Sequence, residues 1–218
     1  MKIIIVLGPA GSGKGTQVNL LVKKFHLDCF GSGVALRERA RKRDFTGKRM
    51  HNVMKGGALV PSFIISKLWM DALEKFRNRK SFRGVVFDGT PRKLGEAEFF
   101  NEALSWYGWD DNVRVIYINI SEKESFDRLT KRRMCKKCGN IIPWIGEFKN
   151  MERCNKCNGQ LMERNDDKPA AIEKRMEEFR YEVLPVLNIY RKQGRLIEVN
   201  GEQSIEKVFK EICDKLKA

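Results

Sequence analysis

An α/β fold, with a five-stranded parallel sheet flanked by helices, is predicted by three observations. Ile3 to Leu7 is an unbroken apolar run, and it opens into the glycine-rich turn Gly8-Pro-Ala-Gly-Ser-Gly-Lys-Gly-Thr16. That is the pattern of a strand covered on both faces and followed by a phosphate-binding turn. Further buried runs at Val85-Val86-Phe87, Val113 to Ile120 and Leu196 to Val199 alternate with amphipathic stretches, as in parallel sheets. Two Cys-x-x-Cys pairs, Cys135/Cys138 and Cys154/Cys157, mark an inserted module of another kind.

A chain of 218 residues buries a full core without staples and makes one domain with room for inserts. No apolar run approaches the roughly 20 residues that span a bilayer. The short run at Ile3 lacks a signal-peptide cleavage pattern, so a cytoplasmic location is expected. A monomer is expected too. The net charge is +15, from 43 Lys and Arg against 28 Asp and Glu, more than a nucleotide site needs. Solvated surface, substrate steering and an RNA-binding face account for the excess in that order, since no aromatic-interleaved basic motif stands out.

Taken in order, the first helix is predicted from about Lys14 to Phe25, then a short segment at Asp28-Cys29-Phe30 and a turn at Gly31-Ser-Gly33. Val34 to Arg43 is a basic helical tract. A second short helix follows Asp44-Phe45-Thr46-Gly47 and reaches Lys55, where Gly56-Gly57 stops it. Pro61 and Ser62 begin a longer helix with Ile64, Ile65, Leu68, Leu73 and Phe76 as its buried stripe. Helices are expected at Leu94 to Tyr107 and Glu122 to Arg133. A long one runs from Pro169 to Tyr190, bent at Pro185. Ser204 caps a terminal helix with Ile205, Val208, Phe209, Ile212 and Leu216 inward. Cys29, Cys213 and the four tryptophans are expected to pack in the interior, although Trp144 lies in the cysteine module and a base is within its reach.

The chemistry starts at the first turn. Gly8, Gly11, Gly13 and Gly15 carry no side chains to hold the backbone off a phosphate, so successive N–H groups can converge on its oxygens. Lys14 adds a point charge, and the following helix adds the positive end of its dipole. A chance glycine-rich turn is the alternative, and the strand before it and the helix after it argue against that. Asp88 ends the second clear strand, where the chain leaves the sheet; a carboxylate there faces bound phosphate and magnesium.

The two cysteine pairs have the spacing of a four-thiolate zinc ribbon. Such an ion is structural, since four thiolates leave no open coordination position. It supplies folding energy that so short an insert cannot draw from a core of its own. Redox dithiols are the alternative, but a redox site uses one pair.

Gly15 stands between Lys14 and Thr16 where the general P-loop has Ser or Thr directly after lysine, and this form resembles nucleoside monophosphate kinases, adenylate kinases above all. With Asp88-Gly-Thr-Pro-Arg92, the cysteine module and Arg164-Asn-Asp-Asp167 in the family's order, the resemblance covers essentially the whole chain. It implies a P-loop kinase with a helical monophosphate-binding insert at 31–61 and a zinc-ribbon lid at 129–166. It also implies ATP and Mg2+ as donor and cofactor, structural Zn2+, and AMP as acceptor. By the resemblance, Gly11, Ser12, Gly13, Lys14, Gly15 and Thr16 hold donor phosphates, with Arg128, Ile141, Ile142 and Gln203 near the donor nucleotide. On the acceptor side stand Ser32, Arg37, Ala58, Leu59 and Val60, then Gly89, Thr90, Pro91 and Arg92, and Glu96. Arg132, Arg164 and Arg175 surround the moving phosphoryl group, Asp88 holds the magnesium shell, and Asp166 and Asp167 orient those arginines.

Several positions depart from the family's pattern. Gly31-Ser-Gly-Val34 replaces a common Ser-Thr-Gly-Asp and removes a carboxylate; Thr90 replaces a usual Phe, Ser62 a usual Asp and Ile142 a usual Tyr. Glu96 replaces the glutamine that reads the acceptor adenine. An ionised glutamate only accepts hydrogen bonds, so adenine reading should weaken. Alternatively Glu96 is an exposed first-turn acid favoured by the helix dipole. Two competing functions remain: a monophosphate kinase of broader or non-adenine acceptor specificity, and an RNA-associated P-loop ATPase using its basic zinc ribbon. Arg37 and Arg92 speak against the ATPase, which needs no second phosphate clamp.

Overall fold

The computed structural model describes residues 2–217. Five parallel strands form the central sheet: β1 (Lys2–Leu7), β2 (Asp28–Gly31), β3 (Gly84–Asp88), β4 (Val113–Asn119) and β8 (Leu196–Asn200), in the order β2-β3-β1-β4-β8. Their alternating side chains explain why the first run is apolar throughout. Ile3, Ile5 and Leu7 enter the core on one face, while Ile4 and Val6 enter a second core on the other. Each such burial stabilises by roughly 2 kcal/mol as an upper bound.

Helices α1 (Lys14–Phe25) and α9 (Ile205–Lys215) cover one face, meeting Ile4 and Val6 through Val18, Leu21, Val208 and Ile212. The other face is covered by α4 (Ser62–Arg77), α5 (Leu94–Trp106) and α8 (Leu184–Lys192), whose Trp69, Phe100 and Tyr190 are fully buried. Between β2 and α4 lie α2 (Ser32–Ala40) and α3 (Phe45–Lys55). Between α6 (Glu122–Lys131) and α7 (Pro169–Glu178) the chain makes a separate antiparallel sheet of β5 (Arg133–Cys135), β6 (Ile141–Ile142) and β7 (Leu161–Met162).

Four expectations are corrected. The turn at Gly31-Ser-Gly33 is absent, because Ser32 Oγ donates to the carbonyls of Asp88 and Gly89 at 2.9 and 2.8 Å and strand β2 runs straight into α2. The helix expected through Arg133 stops at Lys131, and Arg133 pairs with Ile142 in the small sheet. The long helix from Pro169 is interrupted by a π-helical stretch at Phe179–Val183 just before Pro185. A proline lacks the N–H that the preceding turn would use and its ring crowds the carbonyl four residues back, so the turn widens there. Finally, Trp106 is 84% exposed and Cys29 is open, while Trp69, Trp109 and Cys213 are buried.

Candidate active site

A cavity of about 960 Å³ opens at the carboxyl ends of β1 and β3, the place where parallel sheets bind ligands. Its floor is the turn from Gly8 to Thr16, one wall is α2 with the segment Ala58–Val60, and the other is the small sheet with Ile141 and Trp144. Gly13 caps α1 at φ 88°, a left-handed conformation that a side chain would strain, and it turns the first amides of the helix into the cavity. Two donors pin this turn to the body. Ser125 Oγ donates to the Ala10 carbonyl at 2.6 Å, and Arg128 Nη1 reaches the Gly11 carbonyl at 3.4 Å.

Lys14 is the cation of the floor. Its Nζ donates to the carbonyls of Gly8 at 2.7 Å and Pro9 at 2.8 Å. Burial lowers its pKa to about 7, with Asp88 opposing and Arg92, Arg175 and Arg132 adding to the depression. Asp88 sits opposite Val6 and Gly31 in the sheet register, so its carboxylate meets the floor beside α1, 3.8 Å from where a Gly15 Cβ would stand.

On the α2 side, Arg92 Nε donates to the Gly89 carbonyl at 2.6 Å and its Nη2 to Ser32 Oγ at 3.3 Å. Burial pulls its guanidinium below the ordinary arginine value, opposed by Glu96 and then Asp88. Arg37 lines the same wall, held down first by burial and next by Arg164. Glu96 is not the exposed helix acid of the alternative reading: it is 3% exposed. Its carboxylate accepts from the Thr90 hydroxyl and, at 3.0 Å, from the Arg92 backbone N–H. Burial raises its pKa, and these donors and the Arg92 charge oppose the rise. The two departures from the family's pattern at 90 and 96 therefore touch each other.

Three guanidiniums meet where α6, α7 and the small sheet converge. Arg132 grips Asp167 with two bonds, at 2.8 and 2.5 Å; Arg175 Nη1 donates to Asp167 at 3.1 Å; and Arg164 forks onto Asp166, its Nε at 2.9 Å. Burial lowers Arg175 to about 10, with Arg132 adding to the effect. Such forks fix the planes of the guanidiniums and leave donors facing the cavity.

The cysteines converge as their spacing requires. The four sulfurs lie within 4.8 Å of one another, with Cys135 to Cys157 at 3.5 Å and Cys138 to Cys154 at 3.6 Å. Four thiolates about 2.3 Å from one zinc ion stand roughly 3.8 Å apart, so the donor set fits that metal. Backbone N–H groups of Cys138 and Lys156 point at Cys135 and Cys154 Sγ, the support a thiolate cage needs.

Most residues predicted for the nucleotide site line the cavity, and two, Ile142 and Pro91, do not. Ile142 is 3% exposed and faces away, because alternation in β6 turns Ile141 inward instead. Pro91 is buried behind the wall. Arg128 lines the cavity but its donors are committed to Glu124, Gly11 and Gly201, tying the phosphate turn to the end of β8. Gln203 lines the cavity with its amide on Asn200 and Glu211. Sequence reasoning missed Cys29, which opens onto the cavity with its thiol pushed up to about 11 by desolvation and then Asp88. The exposed position in a short strand gave no signal for it.

The adenylate kinase family model matches residues 6–195. The chain belongs to the adenylate kinase family. It is 34% identical over 210 residues to an adenylate kinase of Archaeoglobus fulgidus, covering 96% of this chain and 95% of that one. It is 35% identical over 210 residues to that of Methanothrix thermoacetophila, with the same coverage, and 34% over 212 residues to that of Caldanaerobacter subterraneus, covering 96% and 93%. Membership makes the protein a nucleoside monophosphate kinase that uses ATP and Mg2+, and the four-cysteine cluster is compatible with structural zinc. Neither competing function is favoured by relatives so named over nearly their full length. No described helix is long and apolar enough to cross a membrane.

Proposed function

We propose that this chain catalyses reversible transfer of the terminal phosphoryl group of ATP to AMP with the residues that converge on the cavity, acting as a cytoplasmic monomer. One observation supports the assignment of roles: Lys14, Arg92 and the trio Arg132, Arg164 and Arg175 face one space from three sides. Phosphoryl transfer asks a protein for in-line positioning and for positive charge around spreading negative charge, with little covalent participation.

In this reading Gly11 to Thr16 hold the donor phosphates, and Lys14 leaves the Gly8 and Pro9 carbonyls for them. Ser32 and Arg37, with Arg92, clamp the acceptor phosphate, and Ala58 to Val60, Thr90 and Glu96 border its base. Magnesium, bound near Asp88, would neutralise developing charge on the donor phosphates. The insert at 31–61 and the lid at 129–166 close over the two nucleotides and keep water from the phosphoryl group. The experiment is a coupled assay of ADP formed from ATP with each monophosphate, run on Lys14→Met and Arg92→Ala. Each variant should lose at least about 100-fold in kcat/KM, the scale seen when a transition-state charge donor is removed. ADP production unchanged in either one overturns that residue's role.

A further inference from the structure

Part of the excess positive charge is gathered outside the cavity on the hairpin formed by the end of α2 and the start of α3. Arg41, Lys42, Arg43, Lys48 and Arg49 are all exposed there, and none makes an ion pair among the described residues. The acids of this hairpin are Glu38 on α2 and Asp44 at its tip, and Asp44 is already engaged: it accepts from Arg39 Nη1 at 3.0 Å and caps Gly47 N at 2.8 Å. None of the five basic residues lines the nucleotide cavity.

The hairpin is built rather than loose. A Cβ on Gly47 would fall 1.9 Å from the Lys42 carbonyl oxygen, so the chain folds back tightly on itself and sets Arg41 to Arg43 beside Lys48 and Arg49. At its tip Phe45 is 74% exposed, and the Arg49 guanidinium lies 5.4 Å over its ring centroid. A large aromatic ring held in water by a cation, within a ring of unpaired positive charge, offers what an unpaired base and its flanking phosphates take: a stacking face and charge-assisted donors. The sequence concealed the motif, since the aromatic residue stands alone in the tract and its exposure depends on the turn.

We propose that this hairpin is a binding surface for single-stranded nucleic acid, additional to the nucleotide site. Duplex binding gives the ring no base to stack on, and an anionic bilayer asks for an extended apolar face, where this tip offers a single ring.

Fluorescence anisotropy with a labelled oligouridylate of about 15 nucleotides, in saturating ADP so that the cavity is filled, tests the proposal. With five phosphate contacts on a single strand, affinity should fall about 100-fold between about 50 and 200 mM salt. Arg41→Ala/Lys42→Ala/Arg43→Ala should reduce that fall to about 10-fold. Phe45→Leu should weaken binding about 10-fold and Phe45→Trp restore it. A control triple variant at Lys75, Arg77 and Lys80, at the far end of α4, should bind as the parent does. The proposal is overturned by any of four outcomes: displacement of the oligonucleotide by ADP, equal loss in the control variant, insensitivity to position 45, or tighter binding to phosphatidylserine vesicles than to the oligonucleotide.

Discussion

Glu96→Gln probes how the acceptor base is read. In the parent, both carboxylate oxygens are engaged, by the Thr90 hydroxyl and by the Arg92 N–H at 3.0 Å, so the group offers the cavity acceptors only. A glutamine in the same rotamer keeps its carbonyl on Arg92 N–H, and its amide donates to Thr90 Oγ1, since a hydroxyl can reverse its role. The second amide hydrogen then faces the base. One new hydrogen bond to the ring nitrogen beside adenine's amino group contributes about 1 to 1.5 kcal/mol, or roughly 5- to 10-fold in kcat/KM for AMP relative to UMP and GMP, whose ring nitrogen on that edge carries a hydrogen. Replacing a charge-assisted bond costs about 1 kcal/mol of stability, a Tm lower by roughly 2 to 4 °C. The same substitution removes the carboxylate beside Arg92, but that acts on every acceptor alike, and the ratio cancels it. The assay is coupled ADP formation across AMP, CMP, UMP and GMP, on Glu96→Gln and on Thr90→Val/Glu96→Gln. Ratios unchanged within about twofold would sink the reasoning that the 90/96 pair sets base preference.

Three further outcomes follow from the geometry. Lys14, with its pKa lowered to about 7 by burial, is largely neutral in the free protein at higher pH and must regain a proton to hold phosphate. ATP should therefore bind with proton uptake and with KM rising from about pH 7.5 to 9, checked by calorimetry in buffers of different ionisation enthalpy; pH-independent binding without uptake contradicts it. Asp167→Asn frees Arg132 and Arg175 from the carboxylate that holds them at 2.5 and 3.1 Å, and kcat should drop at least about 10-fold with Tm down by roughly 5 to 10 °C. Parent-like steady-state kinetics would show that these contacts do not position the arginines. Cys154→Ser should lower bound metal from about one zinc per chain toward zero while far-UV circular dichroism of the core helices persists, and retained zinc by elemental analysis would count against the four-thiolate cage.

The parts legible in the sequence were those whose cause is local. The glycine turn, Lys14 and the opening strand stand within a few residues of one another, and the predicted helix Lys14 to Phe25 is the observed α1. The cysteine pairs were equally plain, since tetrahedral ligation fixes their spacing. What stayed hidden depends on partners distant in sequence. Nothing near Ser32 announces that it will bond Asp88 and Gly89, converting a turn into a helix start. Arg128 looks like a free cation until Gly11 and Gly201 are folded against it. Ile142 could be placed only by knowing which face of a two-residue strand meets the cavity. The contact between Thr90 and Glu96 spans six residues, yet it required the chain to turn between β3 and α5 to bring hydroxyl and carboxylate together.

The three short strands above the cavity share no rung with the parallel sheet below. With zinc held by the four thiolates, cohesion would have two independent sources, coordination chemistry in the roof and oily contact in the foundation, and different insults would reach them. A chelator that withdrew the metal would leave the apolar contacts of the foundation in place. If the roof screens the phosphoryl group as proposed above, a molecule without its metal would still dock its donor while standing open to bulk solvent, and would spend ATP on water before its fold was lost.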